Sequence, residues 1–251
     1  MPPSAAPGSL APVLTPQGHL RLVVDDAQAP GLPRSLAQRL EAAFAEDPAA
    51  GLLHLGAAEV DTALPPSLAY WRDLARRFVA GLCAHEALEK SPATLEVPAP
   101  EALEQLARAA PPMQGGEYLS AAVLAAQWDA LHDAWRTLLA RENKPARALL
   151  QALHPSWGAV GRVHFHLAEN PRDPERPFAF LATFTEGLSA RGTPLHRPLG
   201  EALRHSASAR DRGRLQALLA PVQRAAESAP RVRALVDSSE LFHPLAWTPA
   251  E

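Results

Sequence analysis

Between Gly161 and Leu188, bulky apolar residues fall at every second position. Val163, Phe165 and Leu167 alternate with Arg162, His164 and His166, and Phe178, Phe180 and Phe184 recur at even spacing. A period of two predicts strands with one buried face. The segment between them, Asn170-Pro171-Arg172-Asp173-Pro174-Glu175-Arg176-Pro177, cannot continue a ladder, because proline has no N–H to donate and Asn-Pro starts turns. The pattern predicts two antiparallel strands joined by an exposed, stiff loop. Four of the seven phenylalanines lie in this hairpin. It is therefore expected to seat the surrounding helices, with Phe165, Phe178, Phe180 and Phe184 mostly buried.

Elsewhere the period is helical. Leu36, Leu40, Ala43 and Phe44 share a face behind a capping-box pair, Ser35 and Gln38, and Pro48 ends that helix. Pro65-Pro66 opens a helix that turns Leu68, Trp71, Leu74, Phe78 and Leu82 inward. A weaker helix is expected near 101–109. Ala121, Leu124, Trp128, Leu131, Trp135 and Leu138 step by three and four, which predicts a helix over 120–141 with both indoles in the core. A short helix follows from about Pro145 to Leu153. Leu20–Val24 and the apolar run Leu52–Leu55 read as short strands. Ser208 and Asp211 mark a new start, and Pro221 and Pro230 predict a kinked or segmented helical run over 208–237.

These elements add up to an α+β fold, mainly helical, with a small antiparallel sheet built on the central hairpin. Residues 1–17 lack periodicity and read as disordered or as a loose arm. The prolines and glycines of Pro111-Pro112 and Gly115-Gly116 make the best candidate joint between an N-terminal part, 18–110, and a second part, 117–251, although the two could also form one domain.

Charge changes this picture modestly. Residues 1–150 carry 12 basic and 17 acidic groups, hence −5, and residues 151–251 carry 12 and 10, hence +2. All 12 basic residues of the second part are arginine, which points to an anionic partner there. Arg204, Arg210, Arg212 and Arg214 cluster enough to contact a phosphate backbone and are the nucleic-acid-binding candidates. The single cysteine, Cys83, allows no disulfide within the chain. No signal peptide or long apolar run is legible, so a cytoplasmic protein without a membrane partner is expected.

The sequence carries no phosphate loop with its Gly-Lys pair, no Gly-x-Ser-x-Gly elbow and no Cys-x-x-Cys. The expectation is therefore no catalytic residue, no cofactor and no ATP binding by this chain. Three smaller candidates remain. His164 and His166 share one strand face and could co-ligate a metal, but no third ligand has an evident claim, so a packed or surface role is favoured and no metal is expected. Trp71-Arg72-Asp73 reads as a buried indole beside a surface ion pair. Cys83 lacks a base on its side of a helix.

Five stretches in order carry a family resemblance. They are Gly51-Leu-Leu-His-Leu-Gly56, Leu64-Pro-Pro-Ser-Leu-Ala-Tyr-Trp-Arg-Asp-Leu74, Pro111-Pro-Met-Gln-Gly-Gly-Glu-Tyr-Leu-Ser120, the hairpin from Gly161 to Thr185, and Leu241-Phe-His-Pro-Leu-Ala-Trp-Thr-Pro249. Together they resemble the N-terminal region of large bacterial helicase-like ATPases of the Swi/Snf type. The resemblance implies a non-catalytic accessory region, regulatory or docking, ahead of an ATP-driven DNA translocase. Its partners would be the rest of the motor chain, DNA or other proteins, with ATP and magnesium confined to a motor part whose signatures this chain lacks. The other readings are a stand-alone protein-interaction scaffold without nucleic-acid contact and, remotely, a small metal enzyme using His164 and His166. Thr248-Pro249-Ala250-Glu251 reads as the N-cap and capping box of a further helix. The gene is thus expected to continue past Glu251, leaving some of Phe242, Leu245 and Trp247 exposed, or covered by a neighbouring chain or by the missing part.

Overall fold

The computed structural model describes residues 10–24, 32–85, 88, 95–208 and 212–248, with the backbone alone at 208 and 212–217. The protein is α+β and mainly helical, and the chain divides into two units, residues 1–79 with 94–155 and residues 80–93 with 156–251.

The first unit begins with a two-stranded antiparallel ribbon, β1 (Leu10–Leu14) and β2 (Leu20–Val24). The described end of the expected loose arm is thus a strand, with Leu10 and Leu14 buried; residues 1–9 lie outside the described residues. Apolar residues at both ends of β1 outweigh its poor local propensity once a partner strand is present. Helix α1 (Arg34–Glu46) buries Leu36, Ala37, Leu40 and Phe44. It starts from Pro33 without a side-chain cap, so Ser35 and Gln38 form no capping box. Leu52–Leu55 belongs to α2 (Pro48–Ala57) and is not a strand. Asp47 accepts the Ala50 N–H and Pro48 sits in the first turn, which sets a helix whatever the short apolar run suggests.

Helix α3 (Pro66–Ala84) is the expected strong helix, with Leu68, Trp71, Leu74, Phe78 and Leu82 buried. After α4 (Pro100–Arg108), α5 (Ala121–Glu142) is capped by Ser120 and carries Trp128 and Trp135 in the core as its periodicity predicts. Phe78 meets Trp128 edge to face at 5.3 Å and His132 at 4.8 Å. Helix α6 (Ala146–Leu153) closes the unit. The expected joint at 111–116 is instead fastened to β1. The Leu14 N–H donates to the Gln114 carbonyl at 3.1 Å, and Gly115, at φ 76°, lies against the Leu14 carbonyl. The chain accordingly divides near 79, 93 and 155, not between 110 and 117.

The second unit is built on the predicted hairpin. β3 (Val163–Glu169) pairs antiparallel with β4 (Phe178–Leu188) in an unbroken register from Val163↔Phe184 to Glu169↔Phe178. On the far side of β4 lies β5 (Pro194–Pro198), with a bulge between Thr185 and Gly187. Three helices follow, α7 (Leu199–Ser208), α8 (Arg212–Ser228) and α9 (Pro230–Asp237), and then β6 (Leu245–Trp247), which pairs with residues 178–180 of β4. The sequence pattern missed β5, α7 and β6: β5 is flanked by prolines, and β6 has only three residues.

Paired residues share a face of the sheet. Val163, Phe165 and Leu167 therefore lie with Phe184, Ala182 and Phe180 on the face packed by Leu199, Leu218, Val222 and Leu235. Phe180 and Phe184 are buried and Phe178 is half-buried, but Phe165 is 40% exposed. That expectation failed because β3 borders the sheet, where Val163 still packs on the helical core but Phe165 and Leu167 remain exposed. Pro221 lies inside α8 instead of opening a helix, whereas Pro230 stands in the first turn of α9. The start expected at Asp211 falls outside the described residues.

Candidate functional site

The arginine candidates come first. Arg204 is an exposed residue of α7. Arg212 and Arg214 stand in the first turn of α8, where only the backbone is described, and Arg210 lies outside the described residues. Of the four guanidinium groups, only that of Arg204 is placed.

His164 and His166 do share a strand face, opposite the helices. The structure adds a third imidazole that sequence reasoning missed, His196 of β5, which reaches the same face because β5 pairs Thr185 with His196. Ring centroids lie 5.2 Å apart for His164 and His196, 6.2 Å for His166 and His196, and 6.4 Å for His164 and His166. Two threonines of β4 hold them. His166 Nε2 is 2.7 Å from Thr183 Oγ1, and His196 Nδ1 is 2.9 Å from Thr185 Oγ1. His164 Nε2 is buried without a hydrogen-bond partner. Among the described residues, no three His, Cys, Asp or Glu side chains are placed to hold a metal ion. His196 is an exposed residue, but partial loss of water at its ring lowers its pKa, and the charges of His164 and His166 lower it further.

That shift gives a pH dependence its sign. The unfolded imidazole takes up its proton as pH falls through about 6.5, while folded His196 resists protonation until lower pH. In that window the unfolded state binds more protons, so stability is intact above it and falls as acid is added. His54, also lowered by burial, adds a contribution of the same sign. Thermal midpoints are expected to drop between pH 7.5 and pH 5, and the drop should shrink in His196→Asn and in His54→Asn. Parallel pH profiles for wild type and both variants would contradict this assignment.

In the first unit, α1, α2 and α5 border a groove of about 670 Å³, lined in part by Arg39, Asp47, His54, Asp133 and Arg141. Beside it, Glu59 is 5% exposed and fully engaged. Arg39 donates to both of its oxygens, at 2.9 and 3.1 Å, and the Thr62 hydroxyl donates at 2.8 Å. These bonds, with the Arg39 and His54 charges, outweigh burial and hold the Glu59 carboxyl below its usual range. His54 Nε2 stays 3.7 Å from Glu59, beyond hydrogen-bond reach, and burial lowers the pKa of this imidazole. A saturated carboxylate is a poor general base. Thr137, the hydroxyl lining the groove, already donates to the Asp133 carbonyl at 2.9 Å. The groove is therefore a polar seam and not an assembled nucleophile with its base.

Arg72 departs from expectation. It is buried, its guanidinium donates to the Glu59 and Thr62 carbonyls, and its Nε lies 3.8 Å from the exposed Asp73 carboxylate, so the expected ion pair is present with its cationic half inside the fold. Together with Arg39 it ties the turn after α2 to α1 and α3. No local spacing announces such a tie, since Arg39 and Glu59 lie 20 residues apart.

No described helix is long and apolar enough to cross a membrane. No protein-family description, curated protein or solved structure matches the chain.

Proposed function

We propose that this chain is a non-catalytic accessory region of a Swi/Snf-type, ATP-driven DNA translocase, working beside the motor by docking DNA or partner proteins. The observation that carries the reading is the ordered set of five motifs. Their positions suit a shared scaffold better than shared chemistry. Gly56 lies against Ala75, where a Cβ would overlap the neighbouring helix. Gly115 fits against Leu14 at φ 76°, and Gly161, at φ 75°, against the backbone of Cys83 and Ala84. Leu241 and Trp247 pack on the hairpin core. A resemblance confined to fold-setting contacts fits a region that positions other parts.

Arg204, Arg210, Arg212 and Arg214 are the proposed phosphate contacts. Anisotropy with a fluorescent duplex at two salt concentrations tests this. Four phosphate contacts predict weakening by about 100-fold from 50 to 200 mM salt. The double variant Arg204→Glu, Arg212→Glu should bind all sequences more weakly, because phosphate contacts carry no base information. Absence of binding at 50 mM salt would favour the protein-interaction scaffold instead. Reading the gene beyond codon 251 tests the parentage separately, since the proposal requires an open frame leading to a phosphate-loop motif.

A further inference from the structure

We propose that two copies of this chain pair through the outer edge of β3, antiparallel and centred on His166, joining their sheets into one. The inference is independent of the reading above.

Among the described residues, β4 is the sole partner of β3. The direction of its backbone groups follows from the bonds at its two ends. Thr185 donates to the Arg162 carbonyl at 3.0 Å, and Asn170 donates to the Pro177 carbonyl at 2.6 Å. Even-numbered residues of β3 thus turn their N–H and C=O toward β4. In an antiparallel ladder these groups alternate sides, so Val163, Phe165, Leu167 and Glu169 turn theirs outward. An open row of this kind is a template for another strand unless proline, lysine, a bulge or a cover blunts it. β3 has no proline and no lysine, and its register with β4 is unbroken.

The occupant is read from the strand itself. Outward groups must pair with outward groups, so a second β3 has to match odd residues with odd residues. The register centred on His166 does this. It sets Phe165 opposite Leu167 of the second copy, twice, on one face, and His166 opposite its twin on the other. Phe165 and Leu167 are 40% and 62% exposed, so this stretch of the border is left largely uncovered. The twofold axis of such a pair is perpendicular to the sheet and keeps both apolar pairs on one face. Val163 meets Glu169 at the two ends, where the carboxylate stays in water.

Sedimentation equilibrium of the whole chain, over roughly 10 µM to 1 mM for so small an interface, tests the pairing. Wild type should show a monomer–dimer equilibrium. Leu167→Lys should remain monomeric with an unchanged circular dichroism spectrum. The register has its own test. In a narrow antiparallel pair facing Cα atoms approach about 4.5 Å, within disulfide range. His166→Cys should therefore cross-link between copies on mild oxidation. Leu195→Cys, an exposed position on β5, should not, and neither should wild type, whose one thiol is buried. A wild type that stays monomeric at 1 mM, a dimer that survives Leu167→Lys, or a dimer without the His166→Cys cross-link would overturn the proposal.

Discussion

Phe180→Ala is expected to destabilise the second unit by about 3–5 kcal/mol, the range for deleting a buried phenyl ring. The ring is 7% exposed and stacked on both sides. Trp247 lies 4.6 Å away at an interplanar angle of 13°, and Phe165 lies 6.0 Å away at 19°. Phe180 thus bridges the two strands that flank β4 at this level, β6 and β3. Losing it removes two ring contacts and opens a cavity that short β6, with three residues, is badly placed to refill. Arg231 also sits over the Trp247 ring at 5.3 Å, so the change should loosen the contact between α9 and the sheet. Denaturant unfolding followed by tryptophan fluorescence measures the loss. An unchanged midpoint would show that the hairpin is not the seat of the helices.

A second large effect is expected at Gly115→Ala, which should cost the first unit more than about 2 kcal/mol. The backbone there has φ 76°, which any side chain disfavours by roughly 1–2 kcal/mol. A Cβ would in addition overlap the Leu14 carbonyl, itself part of buried β1. Relief requires moving a strand that is bonded to Gln114 on one side and to β2 on the other. Gly116→Ala is the internal control. It has ordinary φ, and its added Cβ would meet only Met113 Cγ, at 3.6 Å. Equal destabilisation by the two substitutions would remove the physical account given for the first.

What the sequence made legible was whatever repeats at close spacing. The α5 stripe, the α3 face and the β3–β4 hairpin each carry their own periodicity, and each appears where expected. Leu52–Leu55 was misread because three leucines within four residues fit either period, and Asp47 and Pro48, just upstream, decide the matter. β1 was missed because Pro12 breaks its alternation and the segment that fastens its end, at Gln114, is distant in sequence. The same limit governs the sites. His164 and His166 announce themselves as neighbours on one strand, but His196 joins them only through β5, and Thr183 and Thr185 only through cross-strand pairing. The Arg39–Glu59 tie and buried Arg72 are likewise products of tertiary packing. Phe165 shows the converse error: its alternation is regular, but alternation does not tell a central strand from a border strand.

Cys83 is 1% exposed at the end of α3, within the second unit, and Gly161 rests on its carbonyl. As the chain's only thiol, it reports on its surroundings without any engineered label. A thiol reagent can reach it only when its surroundings open, so the labelling rate at low denaturant reports on that opening. Compared with the tryptophans of the first unit, that rate shows whether the two units unfold as one cooperative body or separately.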